Sequence, residues 1–502
     1  MFKRIINITI WTLIGLYTAI IILLHIPSIQ TYIGGCVADA LCDKFGTKVK
    51  VGRVDLGFIN RLILDDSYMQ DKNGEQMLRV SRISVKINLL ALANGQIEIT
   101  SAQFFGLHAN LYKATPEAKP NFQFVVDALV SKDSTKQKTP LDLQINSLII
   151  RNGEISYRVL SRPSRPGKFS ADDINARNIS AHIIINRITD DSLNVKVKRI
   201  AFDERCGFKL KSLSLSAIAC RTKTKIENFK LELPATLIQI PSLQASYRMK
   251  NGQIEMPTLQ FDGSIKAPYI SPSDLAVFVP TLTRLNMRPA LDIQFNGTGS
   301  SLTVNKISIN TTDGSLQLVA NGGVKNYPAN PSWYTNIDQL KAGQQAISNI
   351  YAVATGKNVP NIIERLGNVQ ITGYVGGDKK NIASEGKLHT SPGNLTLAFD
   401  KRGDKITAHM ETVRFNIGSL VNDNKLGHIS ANLNVHGSSK DNFAAQGRIY
   451  DFDYNGYKYR SLNLNATYRN KRLEGKANID DPNVQLTAIG TFVNDGAKPN
   501  LQ

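Results

Sequence analysis

The feature that most constrains this chain is an alternation of apolar and polar residues with a period of two, renewed along most of its 502 residues. Val85, Ile87 and Leu89 alternate with Ser84, Lys86 and Asn88, and Leu193, Val195 and Val197 alternate with Asn194, Lys196 and Lys198. Phe229, Leu231 and Leu233 flank Lys230 and Glu232, while Leu291, Ile293 and Phe295 interleave with Asp292, Gln294 and Asn296. Leu395, Leu397 and Phe399, then Leu433 and Val435, then Leu462 and Leu464 continue the pattern. Successive side chains of a strand point to opposite faces, so each run predicts a strand with one apolar and one wet face. Asn73-Gly74, Asn152-Gly153, Asn251-Gly252, Asp262-Gly263 and Asp313-Gly314 tolerate the positive φ of tight hairpins and predict turns between the runs.

The class that follows is mostly β: an elongated, curled antiparallel sheet built one strand after another. No βαβ rhythm is present, which excludes doubly wound and TIM-type folds. Each apolar face needs cover, either from a facing sheet or from something supplied from outside. Alternation leaves both solutions open, a sealed solenoid or an open apolar groove. Val85, Ile87, Leu89, Val195, Val197, Leu231, Ile293, Leu397 and Val435 are the candidate lining residues. Three stretches carry apolar residues at helical spacing, Asn121 to Ser131, Pro272 to Met287 and Asp338 to Thr355, and are expected to plug or buttress the sheet.

The N-terminus reads differently. Ile5 to Ile26 contains no Lys, Arg, Asp or Glu. About 22 helical residues at ~1.5 Å rise would reach roughly 33 Å, enough to cross a bilayer core. Ile5, Trp11, Leu16, Ile22 and Ile26 mark this candidate anchor. Lys3 and Arg4 precede it and the next cation is Lys44, which predicts a cytoplasmic N-terminus and a body on the far side. The apolar run is longer than a signal-peptide core and no A-x-A site follows closely, so the anchor is expected to be retained. Ser28 to Phe45 has the spacing of an amphipathic helix suited to capping the first strands. The expected organisation is an anchor over 1–27, this helix over 28–46 and N-terminal strands over 47–130. Groove repeats follow over 141–336, with a helix near 272–287, then a helical insertion over 337–367 and further repeats over 368–502.

Sixty basic and 41 acidic side chains give a net charge of +19. The cations are dispersed one or two per strand, which describes a solvated face and not a nucleic-acid surface, so no nucleic-acid partner is expected. No G-x-S-x-G, Walker loop, H-E-x-x-H or paired-Cys spacing occurs, and Gly297-Thr298-Gly299 lacks a third glycine. No catalytic, cofactor or metal residue is therefore assigned, and the chain is not expected to be an enzyme. Cys206 and Cys220 could bracket a hairpin and oxidise outside the cytoplasm.

Several blocks resemble a known family. After the anchor and amphipathic segment comes Gly46-Thr47-Lys48-Val49-Lys50-Val51, then Leu62-Ile63-Leu64-Asp65, Asp71-Lys72-Asn73-Gly74 and Met77-Leu78-Arg79-Val80. Ile83 to Leu90, Ile97-Glu98-Ile99 and Gly106-Leu107-His108-Ala109 continue it, and Ser273-Asp274-Leu275-Ala276 and Pro360 to Gly367 follow in the interior. In this order they resemble the AsmA-like superfamily, and within it the TamB family of inner-membrane subunits of the translocation and assembly module. The resemblance implies a periplasmic, taco-like β-groove fixed to the inner membrane. It also implies transport of phospholipid, by its acyl chains, toward the outer membrane. An alternative implied role is assembly or secretion of outer-membrane proteins with an outer-membrane barrel partner. Members usually continue into a C-terminal domain, and a chain stopping at Leu501-Gln502 is expected to be a fragment or a short relative.

Overall fold

The computed structural model describes residues 2–24, 26–57, 60–88, 97–130, 141–164, 167–189, 192–250, 252–439, 442–470, 472–493 and 500–501. The chain packs as two compact units. The first takes Met1–Cys220, Thr224–Leu237 and Val277–Val279, and the second takes Arg221–Lys223, Ile238–Ala276 and Pro280–Gln502. Both are mostly β.

In the first unit, helices α1 (Phe2–Leu24) and α2 (Pro27–Phe45) precede ten strands. These are β1 (Val49–Lys50), β2 (Arg53–Gly57), β3 (Arg61–Gln70), β4 (Gln76–Ile87), β5 (Ile97–Lys113), β6 (Leu141–Val159), β7 (Asp173–Thr189), β8 (Ser192–Glu204), β9 (Lys209–Cys220) and β10 (Lys223–Glu232). Pro27 opens α2, where its absent N–H costs nothing, and Gly46 closes it at φ 59 with its N–H on the Cys42 carbonyl. Lys72 Nζ then donates to the Phe45 and Gly46 carbonyls at 3.0 and 2.7 Å, opposite the negative end of the helix dipole. The helix packs on β1 and β2.

An all-antiparallel sheet is what the hairpin rhythm predicts, and one pair departs from it. β5 and β6 run parallel, Ala102 beside Leu148 and Phe104 beside Ile150. A parallel pair needs a crossover of a dozen residues or more. Residues 114–140 supply it and include α3 (Gln123–Val130).

The second unit holds β11 (Leu237–Ser246), the small hairpin β12 (Met249–Lys250) and β13 (Gln253–Ile254), and β14 (Gln260–Tyr269). A ladder then runs on through β15 (Pro289–Thr298), β16 (Ser301–Thr311), β17 (Leu316–Lys325), β18 (Ser332–Ala342), β19 (Val369–Gly377), β20 (Asn381–His389) and β21 (Asn394–Arg402). It continues through β22 (Lys405–Asn416), β23 (Leu426–Ser439), β24 (Asn442–Tyr454), β25 (Tyr457–Arg469), β26 (Arg472–Asp481), β27 (Val484–Val493) and β28 (Asn500–Leu501). From β15 to β28 every strand pairs antiparallel with the one before it. Short helices stand on one rim: α4 (Pro272–Leu275), α5 (Gln344–Thr355), α6 (Asn361–Glu364) and α7 (Ile417–Val421).

Two of the expected helices shrink. Asp338 and Leu340 lie in β18, where Leu340 pairs with Leu318 and Ile371, so the helix begins only at Gln344. Pro272 to Met287 holds one helical turn and a 3₁₀ stretch at Pro280–Arg284, since Pro280 has no N–H to continue a helix. Two expected turns are strand interior. Asn152 takes φ 53 at a register shift of β6, and Asp262-Gly263 sits within β14. Asn178, Asn228 and Arg414 likewise take positive φ at register shifts, so the apolar phase changes partway along those strands. Cys206 and Cys220 form no disulfide. They flank the 12-residue strand β9, about 40 Å of extended chain, and cannot bridge.

A buried carboxylate pins a turn in each unit. Asp71 accepts the Tyr112 hydroxyl at 2.7 Å, Asn121 Nδ2 at 3.3 Å and the N–H groups of Asn73 and Glu75 at 2.8 and 3.0 Å. Asn73 Nδ2 closes the ring on the Tyr112 oxygen at 2.9 Å. The second unit repeats the device. Asp481 accepts the Tyr457 hydroxyl at 2.5 Å and the Asn483 N–H at 2.9 Å, and Asn483 Nδ2 donates to Tyr457 at 2.9 Å. Burial pushes the Asp71 carboxyl up, but the four donors outweigh it and hold it below the usual carboxylate range. A depressed folded pKa gives stabilisation that is complete above the unfolded value, near 3.9, and lost as pH falls through the folded one. Asp71→Asn is therefore expected to cost about 1–3 kcal/mol at pH 7. Thermal melts should show the gap from the parent narrowing below about pH 4; a gap independent of pH would contradict the ionised clasp.

Candidate functional site

The candidate site is the apolar face itself, and the strand registers define it. In the first unit one row crosses from Leu62 through Val85, Ala102, Leu148, Ile183 and Val197 to Leu215. Beside it a second row runs Val54, Leu64, Ile83, Phe104, Ile150, Ala181, Ile200, Leu213, Leu231. Val195 sits between Ile185 and Ala217 on the same face.

This face is covered at one end. Val54 is 2% exposed and Val85 6%, and Leu64, Val80, Ala102 and Leu107 are also buried. A Cβ at Gly34 of α2 would stand 3.1 Å from Val54 Cγ2, so glycine lets the helix lie directly on the sheet. Further along, Ile183, Val195, Val197, Leu215 and Leu231 are half-buried. One carboxylate shares the face: Glu204, opposite Ala176 and buried. Burial pushes it up, yet N–H donations from Asn175 at 3.0 Å and Cys206 at 2.5 Å outweigh that and hold it below its ordinary value.

In the second unit a central row runs Ile265, Ile293, Ile307, Ala320, Ile337, Gly373, Gly386, Leu397, Met410, Leu433, Gly447, Leu464, Ala477, Ala488. Val435 lies on the next row, between Ala408 and Ala445. Toward the helical rim runs an aliphatic row that includes Leu291, Ile309, Leu318, Leu340, Ile371, Leu388, Leu395 and, past Thr412 and Ala431, Ile449, Leu462 and Ile479. Of the large apolar side chains described on β14 to β27, only Val369 and Phe415 are buried, both near the helical rim. Leu302 is 37% and Trp333 38% exposed. A sealed core would have buried such side chains almost fully.

Total surface points the same way. The protein exposes 31023 Å², whereas two separate globules of half its 55.3 kDa would together expose about 22,000 Å². Apolar patches beyond a few hundred Å² mark binding surfaces.

Of the sequence-assigned lining residues, the registers bring Val85 and Val197 onto one row, and Ile293 and Leu397 onto another. Val195, Leu231 and Val435 lie on adjoining rows. Val85 is buried beneath the covered end, so it is core there and not open lining. Ile87 ends β4 with its side chain outside the described residues, and Leu89 lies outside them altogether. The glycines of the central row were not assigned from sequence. A Cβ at Gly447 would strike the Asn432 carbonyl and Leu433 Cα, so close strand approach demands glycine there.

The expected anchor is helical over Phe2–Leu24, with Trp11, Leu16 and Ile22 exposed, as is Ile26 beyond it. The Ile5 side chain lies outside the described residues. Among the described residues no helix is long and apolar enough to cross a membrane. No cluster of three or more His, Cys, Asp or Glu that could hold a metal occurs among them either.

The fold and site together define a class: β-ladders with an apolar face whose large side chains are mostly half-buried rather than sealed in a core. Comparison with protein-family models, characterised proteins and solved structures finds no match.

Proposed function

We propose that the apolar face carries the acyl chains of phospholipid, as in the AsmA-like proteins the sequence resembles. The protein then acts as a groove for lipid movement between envelope membranes. One observation carries the reading: adjoining rows rich in Ile, Leu and Val, with Ala and Gly among them, whose large side chains are mostly half-buried where a core would hide them. Each CH₂ kept from water gains about 0.8 kcal/mol, so a long acyl chain is held without any specific pocket. Half-buried candidates Val195, Val197, Leu231, Ile293, Leu397 and Val435 are the proposed lining.

A photoreactive residue at Leu433 of the full chain, activated in cells, is expected to capture phospholipid. Capture of polypeptide alone would sink the lipid reading and favour the alternative, assembly of outer-membrane proteins with a barrel partner.

A further inference from the structure

The apolar face of the second unit is not symmetric between its two rims. Near the helical rim runs the aliphatic row, Leu395 and Leu462 among it. Near the opposite rim the last row on the same face pairs Val324 with Trp333, Ile382 with Lys401, Lys401 with Ile406, and Phe443 with Tyr468. Trp, Tyr and Lys are the side chains that settle where apolar and aqueous media meet. Lys401 is the one cation that the registers place on the apolar rows of β14 to β27, set between two isoleucines.

The turns beyond that row are cationic. Lys380 stands in the turn after β19, Arg402 and Lys405 flank the next on this rim, and Arg469 ends β25. Acids are present, but engaged or exposed. Asp378 accepts the N–H groups of Lys380 and Asn381 at 2.7 and 2.9 Å, and Asp400 pairs with Arg402 at 3.1 Å. Asp404 is exposed. Across the face, the helical rim mixes acids such as Asp313, Asp423 and Asp481 with cations such as Lys357, Arg365 and Lys425.

We infer that lipid lies across this face in one orientation, its acyl ends toward the aliphatic row and its phosphate headgroup at the lip formed by Trp333, Lys401 and Tyr468 with the cationic turns outside it. The inference rests on the acyl-chain reading above and adds a headgroup side to it. Anionic phosphate complements the Lys and Arg of this rim. An aliphatic tail gains nothing there that the aliphatic row does not supply better.

Two forms of phosphatidylglycerol, one with a diazirine at the chain end and one with it on the headgroup, are to be bound to the purified full chain and crosslinked. Labelled peptides are then mapped. The chain-end probe should mark segments holding Leu395 and Leu462, and the headgroup probe those holding Trp333, Lys401 and Tyr468. In parallel, Lys380→Glu, Lys401→Glu, Lys405→Glu and Arg469→Glu together should lower phosphatidylglycerol retention on the order of tenfold relative to diacylglycerol of the same chains. Lys357→Glu with Lys425→Glu, on the helical rim, should leave that ratio alone. Probes spread alike over both rims, or equal ratios in the two reversals, would overturn the orientation. If diacylglycerol still labels the face in that case, the acyl-chain reading survives without it. If neither lipid labels the face, both fall.

Discussion

Aspartate placed together at Ile293, Leu397 and Leu433 is expected to abolish lipid capture by the full chain, by tenfold or more, while its far-UV spectrum stays that of a β protein. The three positions share the central row of the second unit, with Met410 between the last two. Each is half-buried. A carboxylate there can keep its water, so folding loses only part of a side chain's burial, about 1 kcal/mol at each site. An acyl chain passing the same three sites would have to strip that water or leave the face, and desolvating a carboxylate costs several kcal/mol. The comparison variant carries Gln294→Asp, Thr396→Asp and Gln446→Asp on the polar face of the same ladder and should capture lipid as the parent does. Undiminished capture by the first variant would remove the apolar face as the acyl path.

The opposite outcome is expected at the covered end. Val85→Asp should unfold the first strands rather than spare them, at a cost of about 4 kcal/mol or more, because Val85 is buried beside apolar neighbours. Its row neighbours are Leu62 and Ala102, and Val54, Leu64 and Leu107 nearby are also buried. Hydrogen exchange over β3 to β5 is the measurement. Protection at the parent level would mean that this end of the face is wet. The same chemical change, an apolar side chain to aspartate, thus separates the sealed end of the first unit's face from the open face of the second.

Much of this surface was legible as period-two alternation. Val195 and Val197, Leu395 and Leu397, and Leu433 and Val435 each fall on the apolar face that their neighbours predict. What the alternation could not settle was where its phase resets. Asn152-Gly153 reads as a hairpin dipeptide because a tight turn and a β-bulge make the same local demand, a residue comfortable at positive φ. Only the partner strand decides between them, and Ile179 opposite Gly153 makes it a bulge. Leu340 fits a helical stripe equally well until Leu318 and Ile371 claim it from either side. The parallel β5–β6 pair was hidden by hairpin rhythm, although a helix and linker long enough for a crossover stood in the sequence. Glycines of the central row carry no such signal, because their reason lies in the backbone of the neighbouring strand. Lys401 was readable in principle, two residues beyond Phe399 in an unbroken strand. Dispersed charge made it look like part of the wet face.

Sequential pairing in the second unit has a consequence for how such a chain is made and altered. Each strand from β15 on needs only the strand synthesised just before it as a template. Stability is then close to a sum of nearest-neighbour interfaces, and contacts stay local in sequence. A ladder of this kind can grow from its first hairpin as residues are delivered, without waiting for a distant partner. It can also gain or lose an antiparallel pair of strands while the faces of the remaining strands keep their phase. Span is then a quantity that evolution or an engineer can set in steps of one hairpin, about 10 Å each, independently of the chemistry that lines it.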